Sequence, residues 1–95
     1  MKIMLIVHGV VQGVGYRNLV RSAANRHGIT GFVRNVRDGS VEIVAVGGQE
    51  AIRDFENEIK VNDRYGPQVM HIEKKEHESA DSEFDGFKIE HDKKL

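Results

Sequence analysis

The dipeptide Asp38-Gly39 lies between two runs rich in β-branched residues, 30–37 and 40–46. Both residues tolerate the positive φ angles of a tight two-residue turn, so the sequence predicts a β-hairpin at this point. The middle of the chain is therefore expected to form two adjacent strands. The segments before and after the hairpin have to pack around this pair.

A strand and a helix are predicted before the hairpin, and a second helix after it. Residues 2–8 alternate between two apolar faces, as a central strand requires. Apolar residues then recur at helical spacing from about Arg17 to a left-handed stop at Gly28. After Gly48, a second amphipathic repeat runs through Ile59 and predicts another helix.

The remaining elements complete a recognisable order. Residues 69–77 predict a fourth strand, 78–83 an acidic polar loop, 84–90 a short last strand and 91–95 a frayed tail. The order βαββαβ plus a short C-terminal strand indicates an α+β, ferredoxin-like split βαβ fold, an antiparallel-rich sheet with two helices on one face. We expect strands one and three to run parallel in the centre, with strand two beside strand three. Residues 1–95 are expected to form a single domain.

Composition narrows the chemistry. The net charge of -1 provides no global field to attract nucleic acid or an anionic membrane. The absence of cysteine excludes disulfides, iron–sulfur clusters and thiol nucleophiles. No apolar run reaches the roughly 18 residues of a membrane span, and the N-terminus lacks a signal-peptide pattern, so we expect a cytoplasmic protein. The five histidines are scattered, and His71 and His77 lie about 20 Å apart on one strand, so we expect no metal.

A glycine-rich loop, residues 9–17, connects the first strand to the first helix. Such a loop can direct several backbone N–H groups inward, and the helix dipole adds partial positive charge. The guanidinium of Arg17 can bind two oxygens of a phosphoryl group. The residues predicted to form this phosphate cradle through their backbone N–H groups are Val11, Gln12, Gly13, Val14, Gly15 and Tyr16.

Three better-known phosphate loops are excluded. The dinucleotide-binding motif needs a glycine where Asn18 stands, and the P-loop motif Gly-Lys-Ser/Thr is absent. A phosphatase loop with a thiolate nucleophile needs a cysteine where Val11 stands. The loop therefore contains no known nucleotide-binding motif, and it contains no nucleophile that could bond covalently to a phosphoryl group.

Asn35, near the hairpin, is the second candidate site residue, because the predicted fold brings it within reach of this loop. Its neutral amide can accept a hydrogen bond from a water and donate one to a phosphoryl oxygen. The amide can thus orient an attacking water without adding opposing charge.

Several motifs occur in a specific order along the chain. They are Val7-His8-Gly9-Val10-Val11-Gln12-Gly13-Val14-Gly15-Tyr16-Arg17, Gly31-Phe32-Val33-Arg34-Asn35, Asp38-Gly39-Ser40-Val41-Glu42, Gly66-Pro67 and Phe84-x-Gly86-Phe87. Together they resemble the acylphosphatase family over residues 3–89. The resemblance implies hydrolysis of acyl phosphates to a carboxylate and inorganic phosphate by a monomer that uses no metal or cofactor. It also implies that Arg17 binds the phosphoryl group, that Asn35 orients the water and that the substrate phosphate takes the proton.

The chain departs from the family pattern in four places. Tyr16 replaces the usual phenylalanine and Phe32 the usual tryptophan, and both exchanges keep an aromatic ring. Lys75 stands where an apolar residue is expected, and the connection over residues 62–66 differs by a few residues. The last two departures leave the register of the fourth strand open.

Two other functions are considered. A non-catalytic domain that binds phosphate or an acyl phosphate, or a regulatory domain, can use the same cradle on the same fold. Ferredoxin-like sheets also bind RNA through exposed aromatic residues on two central strands. The corresponding residues here include no aromatic residue, so no nucleic-acid partner is expected; they are Met4, Ile6, Glu42 and Val44.

Three polar residues close to the motifs have ordinary structural explanations. His8 either lines the site or ends the first strand, and we favour the structural role. Arg34 and Arg37 can extend a basic rim, but charges at a hairpin end are usually solvated.

Overall fold

The computed structural model describes residues 1–77 and 84–92, which contain two helices and five strands. Their bounds are β1 (Lys2–Val10), α1 (Tyr16–Arg26), β2 (Thr30–Asn35), β3 (Val41–Val46), α2 (Gln49–Ile59), β4 (Gln68–His77) and β5 (Phe87–Ile89). The predicted element order is confirmed. β1 extends further than expected, whereas β2 and β5 are shorter. The predicted acidic loop, 78–83, and the end of the predicted tail, 93–95, lie outside the described residues.

The strands form one sheet in the order β4-β1-β3-β2-β5. β1 and β3 are antiparallel, with Lys2 opposite Val46 and Val7 opposite Val41, so the expectation that strands one and three run parallel is wrong. The hairpin makes β3 antiparallel to β2, and the crossover through α1 makes β2 parallel to β1. The C-terminal ends of β1 and β2 therefore lie at the same end of the sheet. This end of the sheet carries the loop after β1 and also Asn35.

Both helices pack on one face of the sheet, and the core lies between them and the strands. On β1, Ile3, Leu5 and Val7 are at most 1% exposed, which confirms the predicted alternation. The helices contribute apolar residues from one side each, and these are Val20, Ala23, Ala24, Ile52, Phe55 and Ile59. Within the described part of the chain, neither helix is long and apolar enough to cross a membrane.

Lys74 and Lys75 interrupt the apolar alternation of β4, which is an edge strand of the sheet. Lys74 lies opposite Leu5, on the helix-covered side, and Lys75 points to the other side. Nζ of Lys74 lies 2.9 Å from Oε1 of Glu56 on α2 and 3.0 Å from Oε1 of Glu76. The hydrogen bond to Glu56 is the main reason that the pKa of Lys74 lies above its ordinary value. This ion pair lets β4 present a lysine toward α2.

The last strand joins the sheet at its outer edge. β5 pairs in parallel with β2, with Ile89 opposite Val33, and the N–H of Glu90 donates to the carbonyl of Val33 at 2.9 Å. The chain after β5 therefore continues beside the end of β2. Residues 90–92 therefore lie at the same end of the sheet as Asn35.

Candidate active site

The loop after β1 enters α1 through two glycines with left-handed backbone. Gly13 has a φ of 75° and Gly15 a φ of 77°, a region that strains any residue with a Cβ atom. Gly15 is the N-cap of α1, no side chain caps the helix, and the first turn contains no acidic residue. The N–H groups of the first turn are therefore available to a ligand, and the positive end of the helix dipole faces the loop.

A pocket of about 310 Å³ lies between the loop, the start of α1 and β5. It brings Arg17 together with four of the six predicted cradle residues; the lining is Val11, Gly13, Gly15, Tyr16, Arg17, Asn18 and Ile89. Gln12, Val14 and Asn35 are not part of this lining. The pocket therefore unites the predicted cation with most of the loop, while Asn35 lies outside it.

Arg17 also lines a second pocket of about 710 Å³, which is bounded otherwise by Ile89 and residues 90–92. The side chain is 36% exposed, and its Nη1 donates a hydrogen bond to Oδ1 of Asp92 at 3.2 Å. This bond uses one of the several N–H donors of the guanidinium. Asp92 is a contact that the sequence did not predict, because the two residues lie 75 positions apart.

Asn35 is the last residue of β2 and is only 9% exposed. It pairs with Val41, a residue of the core face. Its Oδ1 is buried and has no hydrogen-bond partner among residues 1–77 and 84–92. Buried polar atoms nearly always have a partner, in the protein or in ordered water. The Oδ1 of Asn35 is therefore an acceptor that a water or a ligand can still satisfy.

The side chain of Gln12 connects the loop to the hairpin. Its Nε2 donates to the carbonyl of Val36 at 2.7 Å and to that of Ser40 at 2.8 Å. Both carbonyls belong to the turn that follows Asn35. The sequence predicted only the backbone N–H of Gln12 as part of the site, because the partners lie 24 and 28 positions away and no spacing rule relates them.

The comparison with known protein families decides where the chain belongs. The family model described as acylphosphatase matches residues 3–89, which is nearly the whole chain. The chain belongs to the acylphosphatase family.

Individual relatives agree with this assignment. An acylphosphatase from Caldivirga maquilingensis is 38% identical over 94 residues, which are 96% of this chain and 95% of the relative. The crystal structure of an acylphosphatase from Bacillus subtilis superposes with a TM-score of 0.85 at 34% identity, over 93% of this chain and 96% of the other. A crystal structure of full-length HypF in its phosphate- and nucleotide-bound form superposes with a TM-score of 0.84 at 30% identity, and the match covers 98% of this chain but only 12% of HypF. Acylphosphatases act on small acyl phosphates, and this chain is an enzyme of that family.

Tyr16 departs from the phenylalanine that the resemblance led us to expect, and its hydroxyl has a partner in the core. The residue is 1% exposed, and Oη donates to the carbonyl of Ile59, the last residue of α2, at 2.9 Å. Burial raises the pKa of Tyr16. The hydroxyl therefore joins the start of α1 to the end of α2 and is not placed to exchange protons with a substrate.

We expect Tyr16→Phe to lower the free energy of unfolding by about 1 kcal/mol and to leave turnover unchanged, because it removes one buried hydrogen bond outside the reaction. Urea denaturation measures the stability, and hydrolysis of benzoyl phosphate measures the turnover. Tyr65→Phe is the matched control, since Tyr65 is 88% exposed. A fall in kcat at unchanged stability would contradict the assignment of Tyr16 to the core.

His8 lies in β1 and lines neither pocket of this acylphosphatase. Its Nε2 is 2.7 Å from Oε2 of Glu73 on β4, and its ring stacks on His71 with the centroids 5.7 Å apart. These contacts favour the structural interpretation of His8. Within residues 1–77 and 84–92, no three His, Asp or Glu side chains come together as possible metal ligands.

Arg34 is paired rather than fully solvated. Its Nε donates to Oε1 of Glu42 at 2.6 Å, and its guanidinium carbon lies 5.0 Å from the centre of the Phe32 ring. The side chain is 30% exposed, whereas Arg37 at the hairpin turn is exposed. Arg34 is thus engaged by its neighbours in the sheet, and neither pocket includes it.

Proposed function

We propose that this chain hydrolyses the carboxyl-phosphate bond of acyl phosphates by direct attack of water, releasing a carboxylate and inorganic phosphate. The observation that carries the proposal is the buried Oδ1 of Asn35, unpaired within the described residues. Asn35 lies at the end of the sheet that carries the loop, and Gln12 of the loop bonds to Val36, the residue after it. A loop that can bind an anion, together with an amide oxygen that can accept a hydrogen bond from water, offers a position for each of the two reactants, the acyl phosphate and the water.

The loop and Arg17 bind the phosphoryl group. The backbone N–H groups of Val11 to Tyr16 and the Arg17 guanidinium hold its oxygens and stabilise the charge that develops on them in the transition state. The left-handed glycines, the uncapped start of α1 and the lack of acidic residues in its first turn support this role. The net charge of the chain is only -1, so the attraction is local.

Asn35 orients the water. Its Oδ1 accepts a hydrogen bond from the water, which turns a lone pair of the water oxygen toward phosphorus, and its Nδ2 donates to a phosphoryl oxygen. The water oxygen forms a bond to phosphorus while the bond from phosphorus to the acyl oxygen breaks, and that electron pair leaves with the carboxylate. The carboxylate is a good leaving group, so alignment and charge stabilisation are the main requirements.

The proton of the attacking water goes to a phosphoryl oxygen of the substrate. The two candidate bases in the motif that spans β1 and the loop, Tyr16 and His8, are engaged elsewhere, which supports this route. The Tyr16 hydroxyl donates to Ile59 in the core, and His8 is paired with Glu73. The proposed reaction uses no protein base, metal or cofactor.

The same proposal describes a monomer in the cytoplasm, with residues 1–95 as a single domain and no nucleic-acid or membrane partner. One core cluster that includes residues from both helices and from four of the strands supports the single domain. The small net charge supports the lack of a nucleic-acid or membrane partner.

The test is the hydrolysis of benzoyl phosphate in ¹⁸O-labelled water, with and without EDTA. We expect one inorganic phosphate for each benzoate released, the label in the phosphate and the same rate in EDTA, because water attacks phosphorus without a metal. Label in the benzoate would mean attack at the carbonyl carbon, and a rate lost in EDTA would mean a metal. Tight phosphate binding without turnover would indicate the non-catalytic phosphate-binding domain.

A further inference from the structure

One side chain joins the two halves of the proposed site. Nε2 of Gln12 carries two hydrogens, and the structure directs them to two different carbonyls of the hairpin, at Val36 and Ser40. Val36 directly follows Asn35 in the chain. The amide of Gln12 therefore links the loop that forms the cradle to the residue next to Asn35.

The hairpin has its own internal hydrogen bonds and does not depend on Gln12 for its shape. The N–H of Val36 donates to the carbonyl of Ser40 at 2.8 Å, and the N–H of Gly39 donates to the carbonyl of Val36 at 3.0 Å. The backbone and the hydroxyl of Ser40 both donate to Asp38, and these hydrogen bonds hold the pKa of Asp38 below its ordinary value. The contribution of Gln12 is thus to set where the formed hairpin lies relative to the loop.

We propose that Gln12 is a positioning residue that holds Asn35, and the water it orients, in register with the phosphate cradle. This inference rests on the proposed function of Asn35. Both acceptors are carbonyls, so the link needs two N–H donors on one atom at the end of a side chain of this length. Glutamine satisfies that requirement, whereas methionine has a similar length and no donor.

The first test is Gln12→Met with benzoyl phosphate as substrate and inorganic phosphate as competitive inhibitor. We expect kcat to fall by about 10- to 100-fold, because a shift of the order of 1 Å between reacting groups has this effect. The inhibition constant of phosphate should change by less than about threefold, because the backbone N–H groups and Arg17 that bind it are retained. Gln49→Met is the matched control, since Gln49 is an exposed residue at the start of α2.

The second test combines the change with Asn35→Ala. If Gln12 acts through Asn35, the double variant has the kcat of Asn35→Ala alone, because the residue being positioned is already absent. Multiplied effects of the two changes, or a large loss of phosphate affinity in Gln12→Met, would overturn the inference. Thermal melting confirms that each variant is folded at the assay temperature, and Gln12→Ala provides a second donor-free side chain.

The failures of the two proposals are distinguishable. If wild type does not release phosphate, the proposed function fails; if Asn35→Ala leaves kcat unchanged, the proposed role of Asn35 fails; in both cases the inference about Gln12 falls with it. If Asn35→Ala lowers kcat while Gln12→Met retains the wild-type value, the proposed function stands and the inference about Gln12 is wrong.

Discussion

Arg17→Lys is expected to lower kcat/KM for acyl phosphate hydrolysis by on the order of 10³-fold, the range in which a charge-stabilising arginine contributes to phosphoryl transfer. Lysine keeps the positive charge but has a single ammonium, so it cannot bind two phosphoryl oxygens with parallel N–H groups. The ammonium can still pair with Asp92, the present partner of Arg17. The change therefore separates the geometry of the guanidinium from its charge.

Two further variants make this result interpretable. Arg17→Ala should remove both phosphate binding and turnover, because it removes the charge as well. Arg21→Lys is the matched control: Arg21 is an exposed residue of the same helix whose Nη2 donates to Oδ1 of Asn18 at 3.2 Å. Full activity in Arg17→Lys would exclude a role for the two-pronged contact and leave Arg17 as a simple point charge.

Asn35→Ala is expected to lower kcat by about 10²- to 10³-fold, similar to the loss of one transition-state donor in other hydrolases. The phosphate inhibition constant should remain near the wild-type value, because the cradle and Arg17 are unchanged. The fold should tolerate the change, since Oδ1 has no partner to lose within the described residues. Steady-state kinetics with benzoyl phosphate, with phosphate as inhibitor, measures both constants.

The control for this variant is Asn57→Ala, at an exposed position of α2. It should leave both constants unchanged. If Asn35→Ala instead weakens phosphate binding as much as it lowers kcat/KM, Asn35 is a binding residue and another group has to orient the water.

The fold was largely predictable, with one instructive exception. The alternation correctly placed Ile3, Leu5 and Val7 on one face of β1, and the structure buries that face. The same alternation is unchanged when a strand is reversed, so it contained no information about the direction of β3 relative to β1. That direction follows from connectivity, through the hairpin between β2 and β3 and the crossover through α1.

The site was predictable only where its residues are close in sequence. The glycines and Arg17 lie within one loop and the helix turn after it, so sequence reasoning could propose them together as a phosphate cradle. The contact between Arg17 and Asp92 depends on the parallel pairing of β5 with β2, which no local pattern indicates. The two bonds of the Gln12 side chain likewise depend on the distance between two separate loops.

The left-handed glycines and the uncapped start of α1 have a consequence for how such a site is studied. Most of the proposed donors are peptide N–H groups, and replacing a side chain does not remove a peptide group. Alanine at positions 11, 12, 14 and 16 leaves the N–H group in place, and alanine at Gly13 or Gly15 strains the left-handed backbone, so alanine scanning would not measure the contribution of any single N–H. Replacing single amides with esters, by chemical ligation or an expanded genetic code, deletes one N–H at a time and would reveal how the binding is shared along the loop.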